Sequence, residues 1–116
     1  MLGKIKTVYI VWFDCYKKLE KTHKYTLGQK IDGLFIEIIE SISLATFLDK
    51  TEKQPWIKFA IRKLDTIKIL LLVLWETKSI DTKKYITLSE PINEIGKMLG
   101  GWNGQLNKQN SPMGEK

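Results

Sequence analysis

One cysteine, one histidine and three prolines are all that 116 residues hold of three types that constrain chemistry or chain path. The lone Cys15 excludes an internal disulfide and fits a reducing compartment. A single histidine, His23, excludes metal sites built from paired Cys and His. "EKTH", Glu20 to His23, spells the E-x-x-H of di-iron bundles, but such a site needs a second E-x-x-H and two further glutamates on facing helices. Cys15 and His23 would make a nucleophile–base pair only if the helix end folded back, and no oxyanion-hole glycine turn accompanies them. No G-x-x-x-x-G-K phosphate loop occurs. Glu37 and Glu40, with Ser41 beside them, read as a solvated helix face. The expectation is a chain without catalytic residues, metal or cofactor: not an enzyme.

Long apolar runs are also missing. The longest, "ILLLVLW" at 69–75, is bounded by Lys68 and Glu76 and falls far short of the ~20 residues that span a bilayer. "VYIVWF" near the N-terminus is too short for a signal peptide core and runs into Asp14. A soluble, cytoplasmic protein with no membrane contact is expected.

What the chain has is lysine. The net charge is +6, unevenly spread. Residues 1–30 carry seven lysines against Asp14 and Glu20, whereas residues 31–50 carry Lys50 against four acids. Residues 51–80 return to an excess, with five lysines and Arg62 against three acids. A basic excess suits a nucleic-acid or acidic-surface partner and equally suits a plain solvated surface; it says nothing about fold.

Apolar spacing predicts four helices. The first covers about 4–21, with apolar residues at 5, 8, 9, 12, 16 and 19; its run 8–13 would also pass for a strand. The second is expected from Thr26 to about Lys50, opened by a Thr26/Gln29 capping box. The third begins near Pro55, whose missing N–H suits a first turn, and ends near Ser79. The fourth follows Asp81 as N-cap. In it Tyr85, Leu88, Ile92, Ile95, Leu99, Trp102 and Leu106 step by three and four, an unbroken seam interrupted by Pro91, where a kink is expected. Short connections between long helices make an up-down-up-down antiparallel bundle the default. Residues 1–106 are the expected domain and 107–116, "NKQNSPMGEK", a disordered polar tail.

From 69 to 75 the third helix is apolar on every side, more than one buried stripe needs. Ile69, Leu70, Leu72 and Val73 are therefore candidates for a subunit interface. Glycines are also oddly placed. Gly28 sits three residues into the second helix, where it costs roughly 1 kcal/mol relative to alanine. Gly96 and Gly100 lie one turn apart in the seam helix, and all three suit close approach of another backbone.

"KYTLGQKI" (24–31) and "EIGKMLGGW" (94–102) together resemble the accessory variability proteins of diversity-generating retroelements. That four-helix-bundle family also includes proteins encoded in intervening sequences of bacterial 23S ribosomal RNA genes. The resemblance covers about residues 8–106, and the ending "IGKMLGGW" favours the retroelement branch. It implies a barrel-shaped homopentamer without an active site that binds RNA and DNA through a basic surface. Such a protein works with the retroelement's reverse transcriptase, which copies a template repeat into adenine-mutagenised cDNA. Lys24 and Lys30 match the family's basic residues flanking T-L-G, and Lys63 and Lys68 match basic positions on the third helix. Leu72 stands where the family often has a further arginine, which weakens or shifts that face.

The full candidate set for nucleic acid is Lys17, Lys18, Lys21, Lys24 and Lys30, with Lys58, Arg62, Lys63 and Lys68 on the third helix. Tyr25 is the only aromatic residue clearly among lysines, so base stacking is expected to be minor and binding phosphate-dominated. An RNA-binding bundle of the ribosomal type without a polymerase partner, or a purely structural adaptor, would share these features.

Overall fold

The computed structural model describes residues 1–110. They form α1 (Leu2–Lys17), α2 (Lys21–His23), a π-helical stretch (Lys24–Gly28), α3 (Gln29–Ala45), α4 (Lys50–Glu76) and α5 (Thr82–Asn110), with no strand among the described residues. No non-helical residue separates α2, the π stretch and α3, so the chain makes four rods. α1 packs on α3 and α5, α3 on α4, and α4 on α5, which closes an up-down-up-down antiparallel bundle. Its extents are 53 × 22 × 21 Å. α1 has 16 residues against 27 in α4 and 29 in α5. It therefore fills its corner of the bundle over only part of the length, reaching the level of Glu94, to which Lys4 is ion-paired at 2.8 Å.

The core is the set of apolar positions that recur at helical spacing. Ile5, Val8, Trp12, Cys15 and Leu19 come from the first rod; Ile31, Leu34, Phe35, Ile38, Ile42 and Ala45 from α3. α4 adds Ile57, Ala60, Leu64, Ile67, Leu71 and Leu74, and α5 the seam residues Leu88, Ile92, Ile95, Leu99 and Leu106. Tyr85 and Trp102 pack on the seam's edge, half-buried. Asp32 ties α3 to α1: it accepts from the Tyr9 hydroxyl at 2.8 Å and from the Trp12 indole at 3.2 Å. Trp12 is wholly buried, and an unpartnered indole N–H there would cost about 1–3 kcal/mol.

Several boundaries differ from the sequence expectation. Thr26 is not a cap: its hydroxyl donates to the carbonyls of Thr22 and His23 at 3.3 and 3.4 Å, as an interior helical residue does. Helicity begins at Lys21, within the polar run 20–26, which has no apolar stripe for periodicity to reveal. α3 ends at Ala45, where the Thr46 amide bonds back to Ile42 and Ser43 at 3.2 and 3.3 Å. Asp49 has extended backbone, and its carbonyl accepts from Glu52 and Lys53 at 2.9 Å each, so α4 starts at Lys50 and Pro55 lies inside it, on the exposed side. Asp81 does cap α5, accepting from the Lys84 amide at 2.8 Å. α5 continues through Pro91 to Asn110, past the expected start of the tail. Its last turn is held by Asn110 Nδ2 donating to the Lys50 carbonyl at 2.8 Å, while Gln54 donates to Asn103 at 3.3 Å. The rest of the expected tail, 111–116, lies outside the described residues.

Ser41 is buried rather than solvated, and its hydroxyl donates to the Glu37 carbonyl at 2.8 Å. A serine at i+4 satisfies itself on its own helix and so enters a core at little cost.

Candidate nucleic-acid interface

The π stretch Lys24–Gly28 is "KYTLG", the first half of the motif that carries the family resemblance. Its wider turn accompanies a close contact between Gly28 and the end of α1. A Cβ built on Gly28 would lie 2.9 Å from Leu19 Cδ1 and 3.0 Å from Tyr16 Cε1. Only glycine leaves Tyr16 free to stack on Trp12, with ring centroids 5.6 Å apart. The glycine cost in this helix is offset by that packing. Gly96 is tight to a lesser degree: a Cβ added there would lie 3.1 Å from Lys68 Nζ and 3.6 Å from Leu64 Cδ2. Gly100 is different: nothing lies within 4 Å of its added Cβ, so the close approach expected there does not occur within the chain.

The same end of the bundle gathers one cationic cluster. Lys17 and Lys18 close α1, where a positive charge complements the helix dipole. They share Asp14, at 3.9 and 3.3 Å, and the Lys18 hydrogen bond holds the Asp14 carboxyl below its usual range. Lys24 donates to the Lys17 carbonyl at 3.3 Å and stands over the Tyr25 ring at 5.9 Å. Lys21 and Lys30 are exposed.

Antiparallel packing brings the α4–α5 turn to this end as well. His23 Nδ1 hydrogen-bonds Ser79 Oγ, so the histidine of the E-x-x-H string is a tie between two segments. Among the described residues no cluster of His, Cys, Asp or Glu is arranged to hold a metal ion. Lys78, at φ 66°, is the left-handed residue that ends α4. The amides of Ser79 and Lys78 bond back to Leu74 and Trp75 at 2.9 and 3.0 Å, a Schellman ending that usually carries glycine. Lys84 lines a groove with Lys18, Cys15 and Asp81. Burial pushes the Cys15 thiol up in pKa, which disfavours the reactive thiolate. Lys78 and Lys84 thus join the cluster although they lie some fifty residues away in sequence; the antiparallel topology and short turns were the signal that could have placed them there.

The four cations of α4 do not form one patch. Lys58 and Arg62 are one turn apart on the exposed face, beside a shallow groove with Thr51, Gln54 and Pro55, and neither has an ion-pair partner among the described residues. Lys63 turns to the α3 flank, 3.8 Å from Glu37 and 4.9 Å over the Phe59 ring. Lys68 lies on the opposite flank against Gly96 of α5, 3.7 Å from Asp65. The expected interface residues also divide. Ile69 is 62% and Leu72 36% exposed, with both lining a groove toward Tyr85 and Ser89 of α5. Val73 is half-buried, and Leu70 rests on the core.

The fold is that of the small all-α proteins built as a single bundle of four helical rods. More particularly, the bAvd-like family model matches residues 1–106, and the chain belongs to that family of accessory, non-catalytic proteins. No significant match is found among curated proteins or solved structures. Among the described residues no helix is long and apolar enough to cross a membrane.

Proposed function

We propose that the protein is a nucleic-acid-binding accessory subunit of a diversity-generating retroelement reverse transcriptase, supporting mutagenic cDNA synthesis primed on the template RNA. The observation that carries this reading is membership of the bAvd-like family across nearly the whole bundle. The same match favours the retroelement branch over a ribosomal intervening-sequence protein without a polymerase partner. On this reading the chain supplies no reacting group. It assembles as a homopentamer through the apolar outer side of α4, so that each cationic cluster is repeated around an axis and the polyanion is held by many weak phosphate contacts rather than one deep site. Multiplying a patch in this way raises avidity without any new contact.

The test is reconstitution. A reverse transcriptase encoded beside this gene, co-expressed with the tagged protein, is expected to co-purify with it and to make template-primed cDNA only in its presence. A polymerase that neither binds the protein nor depends on it, or a gene neighbourhood without reverse transcriptase and paired repeats, rejects the reading.

A further inference from the structure

We infer that the first half of α4 carries a base-stacking site for single-stranded nucleic acid, built on Trp56 and Phe59 and flanked by Arg62 and Lys63. The inference rests on the nucleic-acid reading above and sharpens it from a charge preference to a strand preference. Trp56 is 38% exposed. Its ring meets that of Phe59 one turn later, with centroids 6.4 Å apart at 72°. Lys63 places its ammonium 4.9 Å over the Phe59 centroid, and Arg62, exposed, follows Phe59 by one turn on the other side. Lys58 stands one turn before Arg62 on the outer face.

Two adjacent aromatic rings, with Lys63 over one of them and Arg62, which has no ion-pair partner among the described residues, one turn beyond it, fit a ligand that alternates flat rings and phosphates. The other exposed apolar side chains fit it less well. Ile10, Ile36, Leu44, Ile69, Leu72 and Ile86 have no π face, and Phe47, 88% exposed, has neither a second ring against it nor a cation over it among the described residues. Phe13 lies under Lys17, at 5.5 Å, but that lysine shares Asp14 with Lys18. Tyr25, 61% exposed beneath Lys24, has no second ring against it among the described residues. A duplex keeps its base faces stacked inside the helix and presents phosphates alone, so this site discriminates against it.

The experiment titrates the full chain with labelled polyuridine, an abasic strand of equal length and a duplex RNA of equal length, at fixed low salt. Polyuridine is expected to bind roughly 5- to 150-fold more tightly than the abasic strand, the range that one stacked base supplies. Binding should also quench tryptophan emission. Trp56→Phe keeps the preference and loses that quenching; Trp56→Leu with Phe59→Leu loses the preference while helical circular dichroism is unchanged. Equal affinity for the base-bearing and abasic strands overturns the stacking site and leaves phosphate binding standing. No binding to any of the three overturns the nucleic-acid reading itself. The comparison of strands on the unmodified protein needs no variant, so a variant that fails to fold leaves the inference testable.

Discussion

Gly28 and Leu19 are in contact so close that a methyl group on the glycine would sit 2.9 Å from Leu19 Cδ1. Leu19 is itself buried, and the Tyr16 ring on the other side is held by its stack on Trp12. Neither neighbour is free to yield. Gly28→Leu is therefore expected to destabilise the bundle by about 1–3 kcal/mol through overpacking, despite leucine's better helix propensity. Gly100→Ala, in open space in an exposed turn of α5, should stabilise by up to about 1 kcal/mol. Urea denaturation of the two variants gives opposite signs if this contrast is correct; the same sign for both rejects it.

The Asp32 knot yields a prediction in pH. Burial, then the hydrogen bond and charge of Asp32, push the Tyr9 hydroxyl up to about 12 from an ordinary value near 10. A phenol whose folded pKa is raised contributes stability that is fully present below the unfolded value and lost as pH rises through the folded one. The window is pH 10 to 12, with a loss on the order of 1–2 kcal/mol after solvent screening. Tyr9→Phe should remove this component of alkaline unfolding. Asp32→Leu should cost more at neutral pH, about 1–3 kcal/mol, because the buried Trp12 indole then has no acceptor. Melting curves from pH 8 to 12 check both, and an alkaline profile of Tyr9→Phe identical to the parent's sinks the first.

How far these features are visible in sequence depends on what marks them. The fourth helix is legible almost residue by residue, since Asp81 marks its start and the seam from Leu88 to Leu106 never breaks step. The second helix is not, because residues 20–26 are polar all round and helical periodicity has nothing to register. Thr26 and Gln29 have capping-box spacing by coincidence, and Gln29 is exposed mid-rod. The glycines show a different limit. Their spacing signals that something unusual is needed, but only packing separates Gly28, pressed on α1, from Gly100, which touches nothing. Among the cations, the 17–30 cluster is contiguous in sequence, whereas Lys84 joins it through topology. Spacing along α4 did not reveal that Lys63 and Lys68 lie on opposite flanks, each beside an acid. Trp56 reads as one more apolar residue until burial is known.

Assembly makes the third prediction. Ile69 is the most exposed of the candidate interface residues, and Leu71, two positions on, is almost fully buried. Ile69→Lys should therefore leave the fold of a subunit intact and break a closed oligomer into monomers, because burying an unpaired charge between subunits costs several kcal/mol. Leu71→Lys, by contrast, should unfold the chain. Sedimentation velocity with circular dichroism separates the two effects. A parent protein that sediments as a monomer, or an Ile69→Lys oligomer of unchanged size, rejects this face of α4 as the interface.

The last prediction concerns salt. Binding carried by phosphates releases counterions, so the affinity of a single strand should fall steeply with ionic strength, by roughly 300-fold or more from 50 to 200 mM if six or more phosphates are neutralised. Stacking on Trp56 adds a term that salt does not move, so the absolute affinity of a single strand is offset while the slope is kept. The cations differ in what they contribute to that slope. Lys63 and Lys68 already face Glu37 and Asp65, and a phosphate must compete with those carboxylates. Lys58 and Arg62 have no such competitor among the described residues, and both are exposed. Lys58→Gln with Arg62→Gln should therefore flatten the slope of log affinity against log salt by roughly 0.7 for each single-strand phosphate that is no longer neutralised. That flattening should exceed the one caused by Lys63→Gln with Lys68→Gln. Fluorescence anisotropy with labelled single-stranded RNA at several salt concentrations measures both slopes. Equal flattening by the two pairs would show that the neighbouring acids do not matter, and an unchanged slope in both would remove α4 from the phosphate path.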